Sequence, residues 1–135
     1  MNFERVKLLR VAFIAGAITD GAALLPMLFP AFASLFWGID DVSGSYRFAM
    51  GYGAALMLGW TALLAWASRR PVERRFVAAL TVLVIWGLVL AEIAAVHSSA
   101  IGVARMAPTW CLQSVLLVLF VFAYHFPLRK RCIQR

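Results

Sequence analysis

Two of the six acidic residues in this 135-residue chain, Asp20 and Glu92, fall inside long apolar runs. A bare charge at the centre of a bilayer costs roughly 2.5–3.5 kcal/mol on insertion scales. An acid in that position therefore binds a cation, exchanges a proton or pairs with a polar group on a neighbouring helix. At about 1.5 Å per helical residue, Asp20 lies about 15 Å above Arg10 and Trp86 about 15 Å above Phe76. Trp60 lies about 18 Å below Phe48 by the same count, so the acid and both indoles share a depth near the midplane. A carboxylate supplying charge and two rings supplying cation–π contact suit an organic cation. The plainer alternative is an Asp20 hydrogen-bonded to Thr61 or an indole N–H, holding helices together.

Glu92 counts to about 24 Å above Phe76, about 9 Å further out than Asp20. There it can pair with His97, Arg105 or Gln113, as an outer polar cluster at the mouth of a cavity leading down to Asp20. Other chemistry finds no support. His97 and His125 stand at opposite ends of the last two apolar runs, which excludes haem ligation by both within one chain. No His/Cys/Asp/Glu group has metal-ligand spacing, and Ser98-Ser99 beside His97 has no placed acid. Cys111 and Cys132 are a bilayer apart, too far for a disulfide, and no Cys-x-x-Cys occurs. The expectation is no catalytic constellation, no metal and no cofactor.

The elements that carry these residues follow from composition. With 64% hydrophobic and 14% charged residues and a mean hydropathy of +0.87, the chain is far more apolar than a soluble domain. Four runs reach the roughly 20 residues that a bilayer crossing needs: residues 11–29, 48–67, 76–96 and 109–126, joined by short polar segments. The fold class is an all-α integral membrane protein, a single domain of four transmembrane helices over residues 1–135. Arg10 to Trp37 is too long for one perpendicular crossing, and Pro26 and Pro30 shape its far end. A break is expected near Pro30, followed by a short amphipathic interfacial piece over residues 31–37. Ala31-Phe32-Ala33 resembles a signal-peptidase site, but the apolar region before it exceeds the usual 7–15 residues and holds an aspartate. The first span is expected to be retained.

Eleven of the thirteen basic residues flank the same ends of the four runs, and only Arg47 and Arg105 lie at the other ends. The positive-inside rule then puts both termini and the 68–75 loop in the cytoplasm, as expected for a bacterial inner membrane. The net charge of +7 reads as attraction to anionic lipid head groups at those arginines, with no nucleic-acid partner. Helices approach closely in lipid where residues are small, so Ala12/Gly16, Ala17/Gly21, Gly51/Ala55/Gly59 and Gly87/Ala91/Ala95 are expected to pack the first three spans together. The bulky fourth, Val115 to Phe122, is then the helix most exposed to lipid or to a partner subunit.

In size, helix count and the place of Asp20 the chain resembles the small multidrug resistance exporters, in which an acid alternates between a proton and a cationic drug. It departs from them in its strong charge bias, which fixes one orientation and disfavours an antiparallel dimer. In overall architecture it is also similar to four-helix membrane proteins of the DoxX and emopamil-binding type. The expected function is binding or carrying of a small lipophilic or cationic ligand, with Asp20 at the base of an outward-facing pocket. Alternatives are an accessory subunit of a larger complex, or a homo-oligomer, and an enzyme acting on a lipid-soluble substrate.

Overall fold

The structure, a computed structural model, describes residues 3–40 and 43–125, with side chains from residue 6 onward. It contains five helices: α1 (Phe3–Leu28), α2 (Pro30–Trp37), α3 (Gly44–Arg69), α4 (Phe76–His97) and α5 (Val103–His125). All but α2 are long and apolar enough to cross a membrane, and no strand occurs among the described residues. Cys132 and the basic residues from 129 onward lie outside the described residues.

The break after α1 has a local cause. Proline disfavours the helical conformation in the residue before it, and Phe29 is extended at φ −117°, ψ 113° ahead of Pro30. Pro30 then opens α2 as a first helical residue, where its missing N–H costs nothing. The short helix stops at Gly38, left-handed at φ 69°, whose N–H donates to the Ser34 carbonyl. The Arg105 guanidinium lies directly over Gly38 and leaves no room for a Cβ. Arg105 Nη1 donates to the Ser34 carbonyl at 3.1 Å, which ties α2 to the start of α5. Helix α3 is capped by Ser43, whose hydroxyl accepts the Tyr46 N–H at 3.2 Å. Helix α5 begins six residues before the expected Thr109, because Pro108 inside it removes only the one backbone bond to the Ala104 carbonyl.

The long helices pack as a row in the order α3, α1, α5, α4. Helices α3 and α4 share only slight contact, although a short turn joins them. The inward face of α1 carries Leu9, Ala12, Phe13 and Gly16, all buried. Against it sit Leu64 and Ala67 of α3 and Leu116, Phe120 and Ala123 of α5, and Val77, Ala78 and Ile85 of α4 complete the core. The Phe13 and Phe120 rings lie 6.0 Å apart.

Two packing expectations are corrected here. Helix α5 is an interior member of the row, with Met106, Gln113, Leu116, Phe120 and Ala123 buried. Its bulk is what fills the space left by Gly16. The small residues of α1 are used inside the bundle, whereas Gly51, Ala55 and Gly59 of α3 and Gly87 and Ala91 of α4 are exposed on the outer surface. A Cβ at Gly51, Gly59 or Gly87 would meet nothing within 4 Å.

A Cβ at Gly16 would lie 3.0 Å from Phe120 and 3.1 Å from Leu64. Gly16→Leu is therefore expected to cost about 1–3 kcal/mol by overpacking, while Gly59→Leu stays within about 0.5 kcal/mol of the native protein. Equilibrium unfolding of both variants in mixed micelles compares them directly, and equal losses would contradict this packing.

Candidate functional site

Three contacts set the register of the bundle and with it the level of each polar residue. Gly16 abuts Leu64, Gly21 abuts Thr61 and Met27 reaches Gly53, so α1 and α3 run antiparallel with Asp20 level with Trp60 and Thr61. Asp20 is seven residues beyond Phe13, and Gln113 is seven residues from Phe120 in the same direction through the bundle. The Phe13–Phe120 contact thus puts Asp20 and Gln113 at one level, roughly 10 Å past the ring pair. Gln113 Nε2 donates to Glu92 Oε1 at 2.8 Å, which brings Glu92 to the same level within about a helical turn.

This revises the depth read from residue counts, which placed Glu92 and Gln113 in an outer cluster above Asp20. Those counts assumed that Arg10 and Phe76 start from one plane. Arg10 Nε instead donates to the Ser68 carbonyl at 3.3 Å, above the 70–75 turn. Carrying the contacts through the bundle sets Arg10 level with Val82, about 9 Å further along α4 than Phe76. The offset cancels the apparent gap, and the two intramembrane acids stand in one polar layer.

Within that layer the polar atoms are incompletely matched. Asp20 is half-buried on the inward face of α1, and among the described residues it has no hydrogen bond and no ion pair. The Thr61 hydroxyl donates to the Met57 carbonyl at 2.9 Å within its own helix. Trp60 packs against the core with its indole N–H buried and unpartnered. Gln113 is only 8% exposed, and its Oε1 is a buried acceptor with no donor. Trp110, one turn beyond Gln113, directs its indole N–H at the Glu92 carboxyl, so that donor and the second carboxyl oxygen face each other. Unmatched groups such as the Trp60 N–H and Gln113 Oε1 are uncommon in folded proteins, since each forfeits about 1–3 kcal/mol of solvation.

The other residues expected at the site lie elsewhere. Trp86 is 51% exposed, on the outer surface of α4 and six residues short of Glu92, so the structure does not bring it to Asp20. His97 is exposed at the end of α4, and Arg105 is committed to Ser34. No hydrogen bond joins Asp20 to Glu92 or His97. Among the described residues no three His, Cys, Asp or Glu side chains gather as a metal site, and Cys111 is an exposed free thiol. Trp110 is a participant that the sequence reading of the site did not include. Its i, i+3 spacing to Gln113, which places both on one helix face, is the signal that finds it.

Two grooves flank the layer. One, of about 170 Å³, opens at the α2 end between α1 and α3 and is lined by Pro26, Met27, Tyr46, Arg47 and Gly51. Met27 lies against Gly53 and separates this groove from Asp20 below. The other, of about 250 Å³, runs between α4 and α5 along Val89, Ile93, Trp110 and Ser114. At the opposite end of the bundle, Arg74 lies 3.3 Å over the Trp66 ring and Arg75 5.9 Å from that of Tyr124. The exposed Arg70–Glu73 pair at 3.4 Å adds little stability.

No known protein family, curated protein or solved structure matches this chain.

If the Glu92–Gln113 bond is the main support of both side chains, Gln113→Leu costs about 1–3 kcal/mol by leaving the carboxyl unpartnered. Adding Glu92→Leu then recovers most of that loss, a coupling that a double-mutant cycle in micelles measures. Additive losses would show that the two side chains are supported independently.

Proposed function

We propose that this is a small multi-pass protein of a bacterial cytoplasmic membrane, with both termini inside, that binds or carries a small cationic or lipophilic ligand at the layer of Asp20 and Glu92. The observation that carries this reading is the pair of carboxyl groups at one level, with no basic side chain bonded to either among the described residues. An unneutralised acid in an apolar medium draws a cation or a proton. Trp60 adds a ring and an unmatched N–H at Asp20's level, suited to an organic cation. The slight contact between α3 and α4 supports access to the layer from the side, between those helices. Arginines at the ends of α3 and α4 support the orientation and an attraction to anionic lipids.

An accessory role is the second reading. It is favoured by the exposed Ala55 and Gly59 on the outer surface of α3, because small residues let a foreign helix approach closely. A mild-detergent pull-down that recovers one stoichiometric membrane partner would favour that role.

For the ligand reading, the purified protein in lipid nanodiscs should bind tetraphenylphosphonium, with Asp20→Asn weakening binding at least tenfold and leaving helix content unchanged by circular dichroism. Glu92→Gln should weaken it less, since Gln113 already shares that carboxyl. Binding by Asp20→Asn equal to that of the native protein would reject the central role of Asp20.

A further inference from the structure

We propose that Gln113 joins the two intramembrane acids, its Oε1 accepting a hydrogen bond from a protonated Asp20 carboxyl while its Nε2 donates to Glu92, and that the Trp60 indole N–H donates to the other Asp20 oxygen. The inference rests on helix packing and on the balance of donors and acceptors, and it goes beyond the cation-binding reading without depending on it. On α1, Asp20 is four residues beyond Gly16 and seven beyond Phe13, so the three share one face. On α5, Gln113 is seven residues before Phe120 and shares its face. Phe13 and Gly16 both meet Phe120, which sets Asp20 and Gln113 on opposed faces at one level. On α3, Trp60 is one turn before Leu64, the residue that closes on Gly16, and it stands at the level of Asp20 as well.

Each of the three groups is incomplete in a way that the other two answer. Trp60 Nε1 is a buried donor without an acceptor, and Gln113 Oε1 is a buried acceptor without a donor. The bond to Glu92 at 2.8 Å holds the amide with Oε1 as its free end. Both atoms are enclosed, so their partners must come from inside the bundle. An ionised Asp20 only accepts, and so serves Trp60 while setting a negative charge against the Gln113 carbonyl. A carboxylic acid has one O–H donor and keeps a carbonyl acceptor, so a single proton on Asp20 completes all three groups. It also removes a charge that is costly inside a bilayer, as apolar sites in other proteins keep a carboxyl neutral in order that it can donate. Among the described residues no basic side chain is bonded to Asp20. At its level α3 brings Trp60 and Thr61, whose hydroxyl is bonded within its own helix, α5 brings Gln113, and the other acid is Glu92 on α4. The proton is then the occupant of the layer in the absence of a cation, and Gln113 is a positioning residue shared by both acids.

Infrared spectroscopy of the protein in nanodiscs tests this directly. A protonated carboxyl has a C=O band apart from those of a carboxylate, and the band rises in frequency as hydrogen bonds are lost. At neutral pH the native protein is expected to show such a band, missing from Asp20→Asn and retained in Glu92→Gln. Asparagine offers an N–H donor and a carbonyl acceptor to the same two partners, so Asp20→Asn removes the band without removing the contacts. The band should move to higher frequency in Trp60→Phe and in Gln113→Leu, with Gln113→Met in its place should the leucine variant not fold. Identical carboxyl bands in the native protein and Asp20→Asn would show an ionised Asp20 and overturn the proposal. A band of unchanged frequency in the folded Gln113 variant overturns it too, since the proton would then face water or lipid. The spectra are recorded without an organic cation, so failure here and failure of tetraphenylphosphonium binding are separate results.

Discussion

Phe120 seated on the bare backbone of Gly16 is the contact on which the arrangement depends. In lipid, apolar burial does not by itself draw helices together, since the tails are as apolar as leucine. What holds α1 to α5 is shape, an aromatic ring of one filling the space that the other leaves by having no side chain, with Leu64 of α3 closing the same position. This junction of three helices is also the origin from which every level in the bundle is measured. Asp20 and Gln113 are each seven residues from the Phe13–Phe120 pair, and their common depth follows from that contact.

Much of the architecture was legible from local rules. Four apolar runs of sufficient length became four helices, and the two prolines with the extended Phe29 produced the expected break and the short α2. Gln113 was one of three partners available to Glu92, and the structure selects it. Which helices are interior was not legible, for a physical reason. A run such as Val115 to Phe122 is as suitable for lipid as for a protein core, so hydrophobicity does not distinguish inside from outside in a membrane. The discriminating feature was complementarity between the bulk of α5 and the smallness of α1, a property of pairs of helices that neither sequence segment shows alone.

Candidate-site residues divide along the same line. Axial position is additive along a helix, so Asp20 and Trp60 were placed at one level by counting alone. Azimuth and baseline are not additive across helices. Trp86 has a plausible height but points outward, because its α4 face is not the one that meets α5. Glu92 was displaced by the vertical offset between the start of α4 and Arg10, which the Arg10–Ser68 bond reveals. Trp110 was passed over because tryptophan is common at membrane boundaries, yet its N–H faces Glu92.

The layer at Asp20 and Glu92 is costly as a purely structural device. Close packing at Gly16 and along the α1–α3 seam already fixes three of the helices, whereas α4 and α5 are joined by the Glu92–Gln113 bond as well as by apolar contact. A layer retained for adhesion alone would be expected to match donors with acceptors, since a half-satisfied buried network is less stable than an apolar one. Here Trp60 keeps a donor without an acceptor, and Gln113 keeps an acceptor without a donor. The Thr61 hydroxyl, which stands at Asp20's level, is spent on its own helix. That imbalance distinguishes the layer from a fully matched seam, and it supports the ligand reading more than the presence of a single intramembrane aspartate does.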